Sequence, residues 1–95
     1  MTWDDFARAF DSEPDVVRAR GFARSVLKRE GKIFAIDYGD AVVFKLPAER
    51  CAALVAGGAV AFDRGQGRPL REWVVVSDPD AWLDLGWEAL AFARA

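Results

Sequence analysis

The sequence predicts an α+β domain of two layers, in which a five-stranded antiparallel sheet carries helices on one face only. Short β-rich runs alternate with glycine-containing turns between residues 25 and 46, a pattern typical of antiparallel hairpins. Segments at the start and the end of the chain place apolar residues at helical spacing. The predicted order of elements is helix, three strands, helix, two strands and helix.

The first helix is predicted from the opening residues. Thr2 and Asp5 have the spacing of a capping box. The side chains that share its apolar face are Trp3, Phe6, Ala7 and Phe10. Pro14 ends the helix, because proline lacks a backbone donor. Residues 16–24 have no clear period, and they are compatible with an extended piece that Gly21 interrupts.

Three consecutive strands are predicted at residues 25–29, 32–38 and 41–46. Glycine-containing breaks separate them, at Glu30-Gly31 and at Gly39-Asp40. In the third strand an apolar set alternates with a mixed set: Val42, Phe44 and Leu46 against Val43 and Lys45. This asymmetry predicts that helices cover one side of the sheet.

The second helix is predicted to begin at Pro47 and to stop at Gly57-Gly58. Two strands follow at 59–62 and 71–76, and the glycine- and arginine-rich loop DRGQGRPL joins them. A last helix follows, with Ser77 or Asp78 as its cap and Pro79 at its first position.

Three tryptophans are predicted to lie in the core, namely Trp73, Trp82 and Trp87. Each has about 150–250 Å² to bury. At roughly 25 cal/mol per Å², that burial favours the interior by up to about 4–6 kcal/mol. Trp3, close to the start of the chain, is the tryptophan expected to stay exposed.

Length and composition narrow the class of protein. A chain of 95 residues with 53% apolar residues predicts one domain over residues 1–95. With a single cysteine and no histidine, neither an internal disulfide nor a zinc site is expected. The chain shows no signal peptide and no apolar run approaching the ~20 residues of a membrane span. These observations predict a cytoplasmic protein without metal, cofactor or membrane contact.

Several short motifs carry a resemblance to a known family. They are Gly31-Lys32 with Phe34-Ala35, Lys45-Leu46-Pro47, Gly67-Arg68-Pro69 and Glu72-Trp73. Over about residues 20–93 the chain resembles the N-terminal domain of TfoX/Sxy competence regulators, a family similar to the MmcQ/YjbR proteins. The resemblance implies a two-layer fold of the secretion-chaperone-like type, in proteins that are often labelled DNA-binding.

The chain departs from that family in two respects. It has Phe22-Ala23 where relatives commonly have a Phe-Gly pair. It also lacks the second domain of full-length competence regulators, so their transcriptional role is not expected to carry over.

Catalysis is not expected. Cys51 falls on the inward stripe of a helix, and the chain has no histidine to activate it. The loop RGQGRP lacks the spacing of a phosphate-binding loop and precedes a strand, so it predicts a turn between strands; a nucleic-acid-contacting loop is the alternative. Acidic residues four apart on the last helix indicate a solvated face: Asp80, Asp84 and Glu88.

Charge is distributed unevenly along the chain, whose net charge is −2. The ends are acidic, and the residues between 16 and 36 are strongly basic. These basic residues, together with the arginines of the loop, are the candidates for phosphate contacts with DNA: Arg18, Arg20, Arg24, Lys28, Arg29, Lys32, Arg64, Arg68 and Arg71. A solvated strand face is the other interpretation, because strand alternation places Lys28 and Arg29 on opposite faces.

Two functions therefore follow from the sequence. The first is a small binding module that contacts nucleic acid through its basic residues. The second is a protein-interaction or homodimerisation module, in which the sheet face without helices, including Val43 and Ala35, packs on a partner or on a second copy.

Overall fold

The computed structural model describes residues 1–63, 65 and 67–95. Its elements in chain order are α1 Trp3–Arg8, β1 Val16–Gly21, β2 Arg24–Arg29, β3 Lys32–Asp37, β4 Val42–Lys45, α2 Ala48–Ala56, β5 Val60–Ala61, β6 Trp73–Val76, a short 3₁₀ helix Pro79–Ala81 and α3 Trp82–Arg94. The α+β class and the antiparallel sheet are confirmed.

The sheet has six strands within the described residues, in the order β1-β2-β3-β4-β6-β5, and not the five that were expected. The additional strand is β1, which pairs with β2 from Val16 opposite Arg29 to Gly21 opposite Arg24. Gly21 thus ends the strand and does not interrupt it. The two-residue turn that follows has positive φ at both Phe22 (57°) and Ala23 (59°), as a type I′ hairpin requires.

The predicted helix starts are largely confirmed. The Thr2 side chain accepts from the Asp5 amide, and the Asp5 carboxylate accepts from the Thr2 amide, which completes the capping box. Asp78 caps the 3₁₀ helix that leads into α3, with Pro79 at its first position. Pro47 is the N-cap of α2, not its first helical residue as predicted, so the helix begins one residue later, at Ala48.

One face of the sheet, here called the helix face, carries the main core. Side chains of α1, α2 and α3 meet those of the strands there, and the large members that are fully buried include Phe6, Phe10, Phe34, Phe44, Leu27, Leu46 and Leu90. Trp82 is buried as predicted, and its indole Nε1–H donates to the Val76 carbonyl at 2.9 Å. Helix α3 approaches α1 closely at Gly86, which faces the rings of Phe6 and Phe10.

A β-bulge interrupts the pairing of β2 and β3. Leu27 is opposite Ala35 and Lys28 is opposite Ile33, so Phe34 is an extra residue on β3. As a result, two consecutive residues, Phe34 and Ala35, both belong to the core on the helix face.

The prediction that Ala35 shares the helix-free face of the sheet with Val43 is therefore wrong. Ala35 lies opposite Phe44 and is fully buried on the helix face, whereas Val43 lies opposite Ile36. Simple alternation along the strand did identify the face of Val43.

The expectation that three tryptophans lie in the core is also wrong for two of them. Trp73 is half-buried on the sheet face opposite the helices, because it pairs with Lys45 and shares the face of Val43. Trp87 is 41% exposed and packs on the Phe10 ring at 4.4 Å between centroids. Trp3, expected to stay exposed, is half-buried against the core.

Within the described residues, no helix combines the length and the apolar character that crossing a bilayer requires.

Candidate functional site

Two of the predicted phosphate-contacting arginines are engaged in ion pairs on the helix face. Arg18 donates two bonds to the Asp11 carboxylate, from Nε and Nη2, both at 3.0 Å. Arg29 donates from Nε to Asp15 at 3.0 Å and also pairs with Glu30. Their positive charge is therefore largely balanced by carboxylates of this chain.

Asp15 joins α3 to the sheet. Its carboxylate accepts from Arg94 at 2.8 and 2.9 Å and from Arg29, while Arg94 also donates to Glu13 at 2.8 Å. The bonds from Arg94, followed by that from Arg29, hold the pKa of Asp15 well below its ordinary 3.8. The ion pairs of Arg29 with Asp15 and Glu30 thus explain its position without any ligand.

The other predicted basic residues are dispersed. Arg20 and Lys32 lie on the helix face. They are opposite Ser25 and Arg29 of β2, and those two residues share the face of Leu27, which is two positions from each. Arg68 and Arg71 are exposed in the connection between β5 and β6, separated from β1 and β2 by other strands. Arg64 lies outside the described residues. Of the predicted set, Arg24 and Lys28 share the opposite face of the sheet.

That opposite face, here called the outer face, is lined mainly by apolar side chains. Its centre is a buried trio, Val26, Ile36 and Val43, one each from β2, β3 and β4. Phe62 and Trp73 pack against this trio, together with Ala19, Ile33 and Val75. Side chains of the sheet itself therefore cover the centre of the outer face.

Three aromatic rings form a row across the outer face, here called the aromatic row: Tyr38, Phe62 and Trp73. The centroids of Tyr38 and Phe62 are 5.7 Å apart with the rings nearly perpendicular, and those of Phe62 and Trp73 are 6.3 Å apart. Tyr38 is 38% exposed, and the other two rings are half-buried. The aromatic row thus covers part of the outer face and is itself partly exposed to solvent.

Each end of the aromatic row carries a cation. The Arg24 guanidinium carbon lies 4.3 Å from the centroid of the Tyr38 ring, and the Lys45 Nζ lies 5.6 Å from that of Trp73. Both distances fall in the range of cation–π attraction. Arg24 also donates to the Asp37 carbonyl at 3.4 Å.

The charged strand residues on the outer face are all basic. Pairing places Arg24, Lys28 and Lys45 on this face, and among the described strand residues no acidic side chain shares it. At the Tyr38 end, Asp63 borders a shallow cleft of about 440 Å³. That cleft is lined mainly by the aromatic and basic side chains Phe22, Arg24, Tyr38 and Phe62.

The groups suited to catalysis are arranged unfavourably. Cys51 is buried, its Sγ–H donates to the Leu46 carbonyl at 3.6 Å, and burial raises the pKa of its thiol. Asp80 and Asp84 are exposed, and Glu88 accepts two bonds from Arg50. Searching the described part of the chain finds no cluster of acidic, cysteine or histidine side chains that could hold a metal ion.

The glycine-rich segment joins β5 to β6, which are antiparallel neighbours. The prediction that it connects two strands is thus confirmed. The Asp63 Oδ1 accepts from the Gly65 amide at 2.9 Å, and the Leu70 amide donates to the Phe62 carbonyl at 2.8 Å. A strand follows the segment, so it has no helix N-terminus to direct at a phosphate.

Comparison of the chain with protein families, with curated proteins and with solved structures found no match in any of the three.

Sequence reasoning did not assign Tyr38, Phe62 and Trp73 to the outer face, and it did not include Lys45 among the candidate contacts. Lys45 lies two residues after Val43 and therefore shares its face, and counting two residues on from Ile36 gives Tyr38. Phe62 carried no comparable local signal, because its place in the row depends on β5 pairing with β6.

Proposed function

We propose that this chain is a non-catalytic module that binds nucleic acid through the outer face of its sheet. The observation that carries the proposal is the exclusively basic charge of that face among the described strand residues, with Arg24 and Lys45 at the two ends of the aromatic row and Lys28 elsewhere on the same face. A polyanion gains affinity from such a surface when it releases its condensed counterions.

The acidic net charge of the chain is compatible with this proposal. Some of the exposed carboxylates, among them Asp4, Asp80 and Asp84, lie on the helices, on the side of the sheet opposite the outer face. Others lie in the connections between strands: Glu30, Asp40, Asp63 and Glu72. A polyanion approaching the outer face meets the basic strand residues first, and the acidic helices point away from it.

Contacts to phosphates fix position without reading sequence. Binding with little sequence preference is therefore expected. The resemblance to the TfoX/Sxy N-terminal domain, and through it to proteins often labelled DNA-binding, supports the same class of partner.

Homodimerisation through the outer face is the second candidate. Two large apolar side chains near opposite edges of the face are exposed, Val17 at 55% and Val60 at 60%. A twofold dimer would bury them, but it would also bring the basic residues of one copy toward those of the other. The charge of the face thus favours an anionic partner over a second copy.

The test is a binding titration against salt concentration. With about three phosphate contacts, log K for a single-stranded oligonucleotide is expected to fall with log salt at a slope near −2, from about −0.7 per contact. The triple variant Arg24→Gln/Lys28→Gln/Lys45→Gln is expected to lose most of the affinity and most of the slope.

A matched triple variant controls for net charge. Arg8→Gln/Lys32→Gln/Arg50→Gln removes the same charge from residues outside the outer face, and it is expected to keep most of the affinity. Absence of binding at low salt, or equal loss in both triple variants, would refute the proposal. Sedimentation of the free chain tests the second candidate, which requires a dimer that dissociates on dilution.

A further inference from the structure

We infer that the outer face prefers single-stranded nucleic acid to duplex, because its bases stack on the aromatic row of Tyr38, Phe62 and Trp73. This inference rests on the proposed function and specifies its ligand. The row offers one exposed ring, Tyr38, and two half-buried rings, so the stacking site spans at most about three nucleotides.

The spacing of the rings favours an unstacked strand. Their centroids are separated by 5.7 and 6.3 Å, whereas neighbouring bases of one strand in a duplex are about 3.4 Å apart along the axis. The planes of neighbouring rings are also inclined to each other by 88° and 53°, so bases that contact more than one ring cannot stay stacked on each other, and only a single strand, loop or end presents such splayed bases. A paired duplex hides the base faces that the row would contact.

The cations are placed to serve the same strand. Arg24 lies at the Tyr38 end of the row and Lys45 at the Trp73 end, so phosphates that flank the stacked bases have a basic side chain at either end. A guanidinium plane also accepts a stacked base, and the Arg24 guanidinium already lies over an aromatic ring.

A purely structural role, that of covering the buried trio, explains two rings of the aromatic row but not Tyr38. Phe62 and Trp73 pack on Val26, Ile36 and Val43, as a purely structural cover would. Tyr38 leaves 38% of its surface exposed and carries Arg24 on its ring. An exposed aromatic ring with an arginine beside it offers a base both a stacking surface and a cation.

Fluorescence anisotropy at one low salt concentration compares two ligands of equal length, a labelled oligothymidylate and a labelled duplex. Tighter binding of the single strand is expected. Tyr38→Leu is expected to weaken it by about fivefold to a hundredfold, the range for loss of one base–aromatic stack. Tyr38→Phe keeps the ring and is expected to bind like the unaltered chain.

A crosslinking measurement on the unaltered chain does not depend on the folding of any variant. Ultraviolet irradiation with a bromouracil-substituted oligonucleotide is expected to attach it to peptides that contain Tyr38, Phe62 or Trp73. Equal affinity for duplex and single strand, with Tyr38→Leu silent and crosslinks elsewhere, would overturn the stacking inference and leave nucleic-acid binding intact. Binding of neither ligand would overturn both.

Discussion

Gly86→Ala is expected to destabilise the fold, although alanine is the better helix former. Gly86 lies inside α3, where a Cβ would come within 2.6 Å of Phe6 Cε1 and 2.8 Å of Phe10 Cζ. Carbon atoms pack best at about 3.5–4.0 Å. Both phenylalanines are fully buried among other core side chains, so neither ring has space to retreat.

The magnitude follows from two opposing effects. Exchanging an interior helical glycine for alanine gains about 1 kcal/mol of helix propensity. Forcing an extra carbon into a packed core costs about 1–3 kcal/mol, and contacts this short lie at the upper end of that range. The expected net loss is about 1–2 kcal/mol, which lowers the Tm of a domain of this size by about 4–16 °C.

Urea and thermal denaturation, followed by circular dichroism, measure this loss. Gly57→Ala is the matched control, because its Cβ would lie at an ordinary 3.5 Å from the Leu54 carbonyl oxygen and its φ is negative. That variant is expected to change stability by less than about 1 kcal/mol. A Gly86→Ala protein that is more stable than the unaltered chain would show that α1 does not pack on α3 as described.

Three further substitutions test other parts of the structure. Ala23→Gly is expected to raise the free energy of unfolding by about 0.5–1 kcal/mol in urea denaturation. The left-handed conformation costs alanine about 1–2 kcal/mol, and glycine avoids this cost but loses more backbone entropy on folding. No gain in stability would argue against the type I′ turn. Asp15→Asn is expected to lower the Tm at pH 7. The pKa of Asp15 is depressed in the folded state, so the stability that its ion pairs contribute is present above its ordinary pKa of 3.8 and is lost as the pH falls through the folded-state pKa. The difference in Tm between the variant and the unaltered chain should therefore narrow on acidification from pH 4 to 2. A constant difference would contradict the ion-pair account. Asp63→Asn keeps the acceptor for the Gly65 amide and removes a negative charge beside the aromatic row, so it is expected to tighten oligonucleotide binding by about two- to fivefold at low salt, whereas weaker binding would contradict the charge argument.

Elements specified by local signals were predictable. The capping box of Thr2 and Asp5 and the glycine of the Glu30-Gly31 turn act within a few residues, so the sequence pattern reflects them directly. Strand β1 escaped prediction because Arg18 and Arg20 interrupt its apolar pattern. Its pairing with β2 stabilises it as a strand, and the turn between them has positive φ at two non-glycine residues, so the sequence lacks the glycine that usually marks such a hairpin.

The faces of the sheet required long-range information. The bulge at Phe34 brings two consecutive residues to the helix face, which no period-2 pattern specifies. Trp73 was expected in the core because burial of an indole is favourable. The structure achieves part of that burial on the outer face of β6, where Phe62 packs beside the indole and no helix covers it. The basic candidates were correctly seen as divided between two faces, but the structure shows carboxylate partners for Arg18 and Arg29 that the sequence did not assign to them.

The most direct test of the account is to map amide chemical shifts by NMR while a short oligothymidylate is added to the isotope-labelled chain. We expect the changes to cluster on the outer face, around Arg24, Lys28, Tyr38, Lys45 and Trp73, and to leave α1 and α3 unperturbed. Changes confined to the helix face around Arg18 and Arg29, or no changes at all, would contradict the assignment of the outer face as the binding surface.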